Sequence, residues 1–403
     1  MASTPTNTAA AVPDTGSPVS ANLLIHLSTV STETLEPALL NLAAAFPSQP
    51  VLIAVPEMAN LNSVHTSDNL RLLPYAPAAP STTSWVLTAA DYLNTYKLAQ
   101  EHDVSVCLLL GADSHTIQPE SIRELAHTTN SSPTDLVVSR YHLGPREGLV
   151  NSAILYPLTR ALFGTRPRFP LAIDLGLSLR MAERLAVSAQ RFTAANQNDA
   201  LLWPVSEAAL AGFTVAEADL PARATPQPAT ADLNALLSQI LGSFFADIDA
   251  RASFWQRMRS VVPPRNIPAA LLPSEPLDVN QMLESFHLAY SNLHEIWALV
   301  LPPQTLLGLK RLSVMPQEAF RVADSLWARI VYDFVLAYRL RTINRGHLLG
   351  ALTPLYLAWV ASHLILVQSG VPPERHIEDV AQAFETDKPY LVSRWRWPDR
   401  FNP

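Results

Sequence analysis

LLLGADSHTI, residues 108–117, is the stretch on which the fold is decided. An apolar run ends at Leu110, a glycine follows, and one acid, Asp113, stands before a small polar group. A buried strand of an α/β sheet delivers a carboxylate to the sheet rim in this way, and ligands of such sheets bind at that rim. A hard divalent cation there needs several oxygen ligands. Gly111 stands where a first acid would be, and His115 follows two residues after Asp113. A lone histidine near a strand end is a solvated or core side chain more often than a ligand, by roughly three to one.

Outward from this stretch, short β-like runs alternate with helical ones. The strands expected are 22–27, 50–55, 70–73, 104–110 and 135–141. Helices are expected near 33–45, 86–101, 149–163 and 178–189, with Pro157 kinking or restarting the third of these. Alternation of this kind predicts an α/β domain with a mainly parallel sheet. PARATPQPAT, 221–230, reads as a linker or surface loop, and strand signals stop after it. Wide apolar stripes at helical spacing follow, such as Leu283, Phe286, Tyr290 and Trp297, and they predict an all-helical C-terminal domain. The expected organisation is a disordered Ala/Ser/Thr/Pro tail over 1–20, an α/β domain over 21–230 and a helical domain over 231–403. Segment 347–367 is long and apolar enough to span a bilayer. It also holds two histidines and a Thr-Pro pair, which favours a buried central helix by roughly four to one.

Composition narrows the classes. Apolar residues make up 48% of the 403 and charged residues 16%, so a large core is available. With 34 prolines and 12 glycines the loops are stiff, and neither a GxGxxG nor a P-loop occurs. The single cysteine, Cys107, excludes a disulfide framework and a cysteine zinc site and suits a reducing, cytoplasmic compartment. Up to residue 139 there are 3 basic residues against 12 acids, the opposite of a surface that grips nucleic acid or an anionic membrane.

The arginines gather in 139–178, SRYHLGPREGLVNSAILYPLTRALFGTRPRFPLAIDLGLS, at Arg140, Arg146, Arg160, Arg166 and Arg168. Arginine forks recognise carboxylate and phosphate. The plainer alternative, arginines pairing with the acidic N-terminal half, has about even odds for any single one. Asp174 follows a proline and an apolar pair. It is a candidate catalytic or sugar-binding carboxylate, or else a cap for the helix after it.

ILYPLTRALFG (154–164) with PLAIDLGLS (170–178), the helical run 324–364 and KPYLVSRWRW (388–397) resemble the retaining glycosyltransferases of the glucosylglycerate and mannosyl-3-phosphoglycerate synthase type. The resemblance implies a GT-A fold with a helical extension. It also implies hexose transfer from a nucleotide sugar to a small acid, with Mg²⁺ or Mn²⁺ on the donor diphosphate. Carried over by position, Asp113 would bind metal and donor, with His115 and Arg140 beside it. Asp174 would be the catalytic or positioning acid, and Arg160, Arg166 and Arg168 would take the acceptor's carboxylate or phosphate.

The chain departs from the family at each donor element. Asp-x-Asp reads Gly111-Ala112-Asp113, and the turns after the first two strands read LSTV (27–30) and VPEM (55–58). A Gly-Lys-Gly stretch is replaced by APSTTSW (79–85), and no histidine occurs over 219–232, where a metal ligand is expected. The acceptor motif keeps its acid, Asp174, and loses both glycines. Two readings follow. One is a working hexosyltransferase for a small anionic acceptor. The other is a decayed relative that serves as an interaction or structural partner, through homo- or hetero-oligomers of the helical domain. A working site calls for an open cleft beside Asp113 with Arg140 or His115 facing in. A decayed one calls for Ala172, Ile173 or Trp85 filling that space.

Overall fold

The computed structural model describes residues 22–57, 66–77, 85–221, 223, 232–259 and 278–398. The first half alternates β1 (Leu23–Leu27), α1 (Thr32–Ala45), β2 (Val51–Pro56), β3 (Leu70–Tyr75), α2 (Ala89–Glu101), β4 (Val106–Leu110), α3 (Pro119–Asn130) and β5 (Leu136–Tyr141). It continues through α4 (Tyr156–Phe163), β6 (Asp174–Ser178), α5 (Leu179–Thr193), α6 (Pro204–Ala211) and β7 (Val215–Leu220). The seven strands form one sheet in the order β3-β2-β1-β4-β6-β5-β7. Every pairing is parallel except the two made by β6, which runs against both β4 and β5. The expected mainly parallel α/β domain is therefore present. β6 and β7 are additions to the strands read from the sequence.

Every residue of β1 and β4 is buried, as strands covered by helices on both faces must be. Their apolar runs lack the alternation of a half-exposed strand for the same reason. His26 is the polar exception within β1. Its ring meets Tyr75 Oη at 2.5 Å and Thr95 Oγ1 at 2.7 Å, and burial pushes its pKa down to about 3, so it stays neutral. The helix expected over 149–163 begins as a wider π turn over Asn151–Leu155 and becomes regular at α4, with Pro157 in the first turn. A missing N–H costs nothing there.

The second half is helical, with α7 (Leu233–Ala250), α8 (Ala252–Trp255), α9 (Asn280–Ala298), α10 (Pro303–Leu312), α11 (Asp324–Leu340), α12 (Arg345–Gln368) and α13 (Pro373–Arg396). Among the described residues, α12 is the helix long and apolar enough to cross a membrane. Here it lies inside a jacket of α7, α9, α11 and α13, with buried residues on all sides. A helix apolar all round is what a central position demands. Trp255, Trp297, Trp327 and, on α12 itself, Trp359 are fully buried in the helical half. Three of them donate their indole N–H to backbone carbonyls, those of Ile248, Ala351 and Ala153. The last bond joins α11 to the π turn, so the helical core takes in part of the α/β half.

α3 packs closely across the sheet at Gly176 of β6. A Cβ at that position would lie 1.8 Å from Thr129 Oγ1 and 2.9 Å from Thr129 Cβ. Gly176→Ala should therefore lower stability by about 1–3 kcal/mol, the usual cost of overpacking. Thr129→Ala in the same chain should recover part of the loss. Urea unfolding midpoints of the two variants check this.

Candidate functional site

The antiparallel pairing of β6 with β4 sets Asp174 opposite Leu110, the last residue of β4. The carboxylate is thereby placed under the turn Gly111-Ala112-Asp113. Gly111 N–H donates to Asp174 Oδ1 at 3.1 Å, and Tyr141 Oη donates to Oδ2 at 3.1 Å. The same phenol oxygen accepts from the backbone N–H of Ile173 and of Asp174, each at 3.1 Å. Burial, and then the charge of Asp174, hold the Tyr141 pKa well above its ordinary value. The phenol therefore stays protonated and remains a donor.

Arg223 completes the cluster from the chain just after β7. Its Nε and Nη2 fork Asp174 at 2.9 and 3.3 Å. Nη1 donates to Asp113 O at 2.8 Å and Thr116 Oγ1 at 3.2 Å, and Nη2 donates to Ala112 O at 2.5 Å. Both side chains of the ion pair are 0% exposed. Burial alone would lower the Arg223 pKa, but Asp174 and, more weakly, Tyr141 and Asp113 carry it above its ordinary value. Sequence reasoning passed over Arg223 because it lies in the Pro/Ala/Thr-rich run read as a linker. The available signal was one arginine in a ten-residue stretch with no other charge.

Asp113 sits at φ 58°, ψ 25°, a left-handed conformation that aspartate tolerates better than most residues. That turn aims the backbone carbonyls of Ala112 and Asp113 at Arg223. The Asp113 side chain is half-buried at the rim. Next to it the space is closed. A Cβ on Gly111 would lie 2.9 Å from Ile173 Cβ and 3.0 Å from Ile173 O. An acid at the first Asp-x-Asp position therefore has no room unless Ile173 moves. Asp174 and Asp113 share this cluster, but the carboxylate of Asp174 is enclosed by a guanidinium, a phenol and a backbone N–H. Among the described residues, no group of three or more His, Cys, Asp or Glu is arranged to hold a metal ion. Among the described residues, Asp113 and the enclosed Asp174 do not by themselves make a divalent-cation site. Segments 79–84 and 224–231, where the expected phosphate-approach stretch and metal histidine fall, lie outside the described residues.

The structure spreads the other candidate residues. His115 lies in the turn after Asp113, and its Nδ1 is buried without a hydrogen-bond partner among the described residues. Arg140 precedes Tyr141 on β5, and strand alternation carries it away from Asp174. It forks Asp219 of β7 at 2.5 and 2.7 Å. Arg140 and Arg166 meet instead in a shallow pocket of about 550 Å³ beside the β7 edge. Arg160 is 3% exposed; its Nε and Nη2 each reach Glu385 at 3.0 Å, and Nη1 reaches Glu378 at 2.5 Å. Arg168 is equally buried, bonding Glu374 at 3.0 Å and Ser152 Oγ at 2.8 Å with its guanidinium over the Phe169 ring. Both tie the α/β half to α13.

Removing one partner of a buried ion pair costs about 3–5 kcal/mol, because the other charge is left enclosed. Arg223→Met should therefore cost an amount in that range. Asp174→Asn combined with Arg223→Met should cost clearly less than the two single losses added together. Denaturant unfolding of the four proteins in the cycle checks this, and additivity would contradict the geometry.

No protein-family model matches the chain, and no curated protein does. Similar solved structures include glucosyl-3-phosphoglycerate synthase from Mycobacterium tuberculosis in complex with phosphoglyceric acid, at 12% identity and a TM-score of 0.36, over 58% of this chain and 81% of that one. The same enzyme with Mn²⁺, UDP-glucose and phosphoglyceric acid aligns at 12% identity and a TM-score of 0.37, over 58% and 80%. A mycobacterial protein aligns at 12% and 0.36, over 56% and 74%.

Proposed function

We propose that this chain is a glycosyltransferase-like scaffold whose donor site is closed by its own Asp174–Arg223 pair, and that it works by binding a partner rather than by transferring a hexose. The observation that carries the reading is that Arg223 directs five hydrogen bonds to Asp174, Ala112, Asp113 and Thr116, at the place where a metal-bound diphosphate would sit. Retaining transfer with no evident nucleophile depends on positioning and on stabilising developing charge. A sealed carboxylate does neither. Ile173 against Gly111 removes the space as well.

Exposed apolar residues on the helical half support the partner reading. Leu288 of α9, Leu299 just after that helix, Leu307 of α10 and Val314 are all at least 50% exposed. The second reading is active hexose transfer from a nucleotide sugar to a small acid, with Mg²⁺ or Mn²⁺. It draws on one observation, the half-buried Asp113 carboxylate left at the rim.

Thermal unfolding with UDP-glucose or GDP-mannose, each with and without Mn²⁺, separates the two. A ligand at a hundred times its Kd stabilises the fold it binds by about 2.7 kcal/mol. The closed-site reading expects no shift from any of these combinations. A Mn²⁺-dependent shift that disappears in Asp113→Asn would overturn it and establish the transferase reading.

A further inference from the structure

A second cavity, of about 630 Å³, lies in the helical layer and not at the sheet rim. It opens between the C-terminal half of α5, the turn over 196–203, α6 and α7, where the α/β half meets the helical half. None of its lining residues belongs to the Asp174–Arg223 cluster. Its volume falls in the range that takes small ligands, and seams of this kind are common places for them.

The lining has an unusual chemistry. Four primary amides face one cavity, those of Asn196, Gln197, Asn198 and Gln239. No side-chain hydrogen bond joins any of the four to another described residue. The charges in the inner wall are already matched. Arg251 bonds Asp247 and Glu207, each at 2.7 Å, and Glu207 also takes Arg184 at 3.0 Å and Ser188 Oγ at 2.9 Å. An ionic ligand would find these inner-wall charges in use, and Arg191 and Asp199 are the other charged residues of the lining. Phe192 offers a 37% exposed ring at the rim.

A primary amide both donates and accepts hydrogen bonds, and so does a hydroxyl group. Amides with free valences around an aromatic face therefore match a neutral molecule rich in hydroxyls. We propose that this cavity binds a neutral polyhydroxylated ligand, such as a small sugar. The site is independent of the donor region and does not require it to be open or closed.

Saturation-transfer NMR on the full chain tests this, with glucose and maltose as probes and with phenethylamine and succinate as cationic and anionic controls. Transfer to at least one sugar is expected. Ala246 is exposed on α7 and lines the mouth, so Ala246→Trp should abolish the transfer while leaving the circular dichroism spectrum unchanged. Gln239→Ala should weaken binding by about fivefold, the loss of one net hydrogen bond. Arg223→Met should leave it unchanged, provided the variant remains folded. Three results would overturn the proposal: no transfer to either sugar at about 10 mM, transfer that survives Ala246→Trp, or binding of the amine or succinate in place of the sugars.

Discussion

The rim of the sheet is organised around one buried guanidinium. Two opposite charges at 0% exposure are stable only when geometry and hydrogen bonding are nearly complete. Here every element at the rim contributes to that completeness. β4 ends so that its turn can present two carbonyls, β5 supplies a phenol, β6 supplies the carboxylate, and the chain after β7 supplies the cation. The left-handed Asp113 backbone and the absence of a side chain at Gly111 become intelligible as conditions for this packing. A carboxylate that could have served a ligand is instead part of the core.

The arginines of 139–178 follow the same pattern. Arginine suits buried ion pairs because its planar fork meets carboxylates with two bonds at once. Arg160 and Arg168 use that property toward Glu378, Glu385 and Glu374 on α13. With the Trp327 indole on Ala153 O, they fasten a helical domain to a sheet domain through polar contacts enclosed by apolar ones. The arginine-rich run is thus also the region where the two halves join.

Much of this was legible in the sequence. Five strands and the leading helices lay where apolar runs and helical periods placed them, because burial on both faces leaves little choice of residue. β6 was harder to see. LGLS after Asp174 is short, contains a glycine and runs straight into α5, so its strand character depends on β4 and β5 holding it from either side. Asp174 was legible as a candidate functional acid, but its partner was not. Arg223 lies 49 residues away, within a proline-rich run whose composition reads as loop. Local composition shows what a segment can form by itself, whereas an ion pair is a property of two distant segments brought together.

The Arg223 contacts also bear on how the molecule opens. Nη1 of Arg223 binds the carbonyl of Asp113, 110 residues earlier in the chain, so the exit of β7 is fastened to the exit of β4. Native proteins open in cooperative units of differing stability, and the ends of edge strands ordinarily belong to the weakest. Here the end of an edge strand is tied into the middle of the sheet by a side chain that cannot release one bond without exposing a bare charge. Fraying of β7 at this end is therefore coupled to the central strands. The sheet edge belongs to the same cooperative unit as its core.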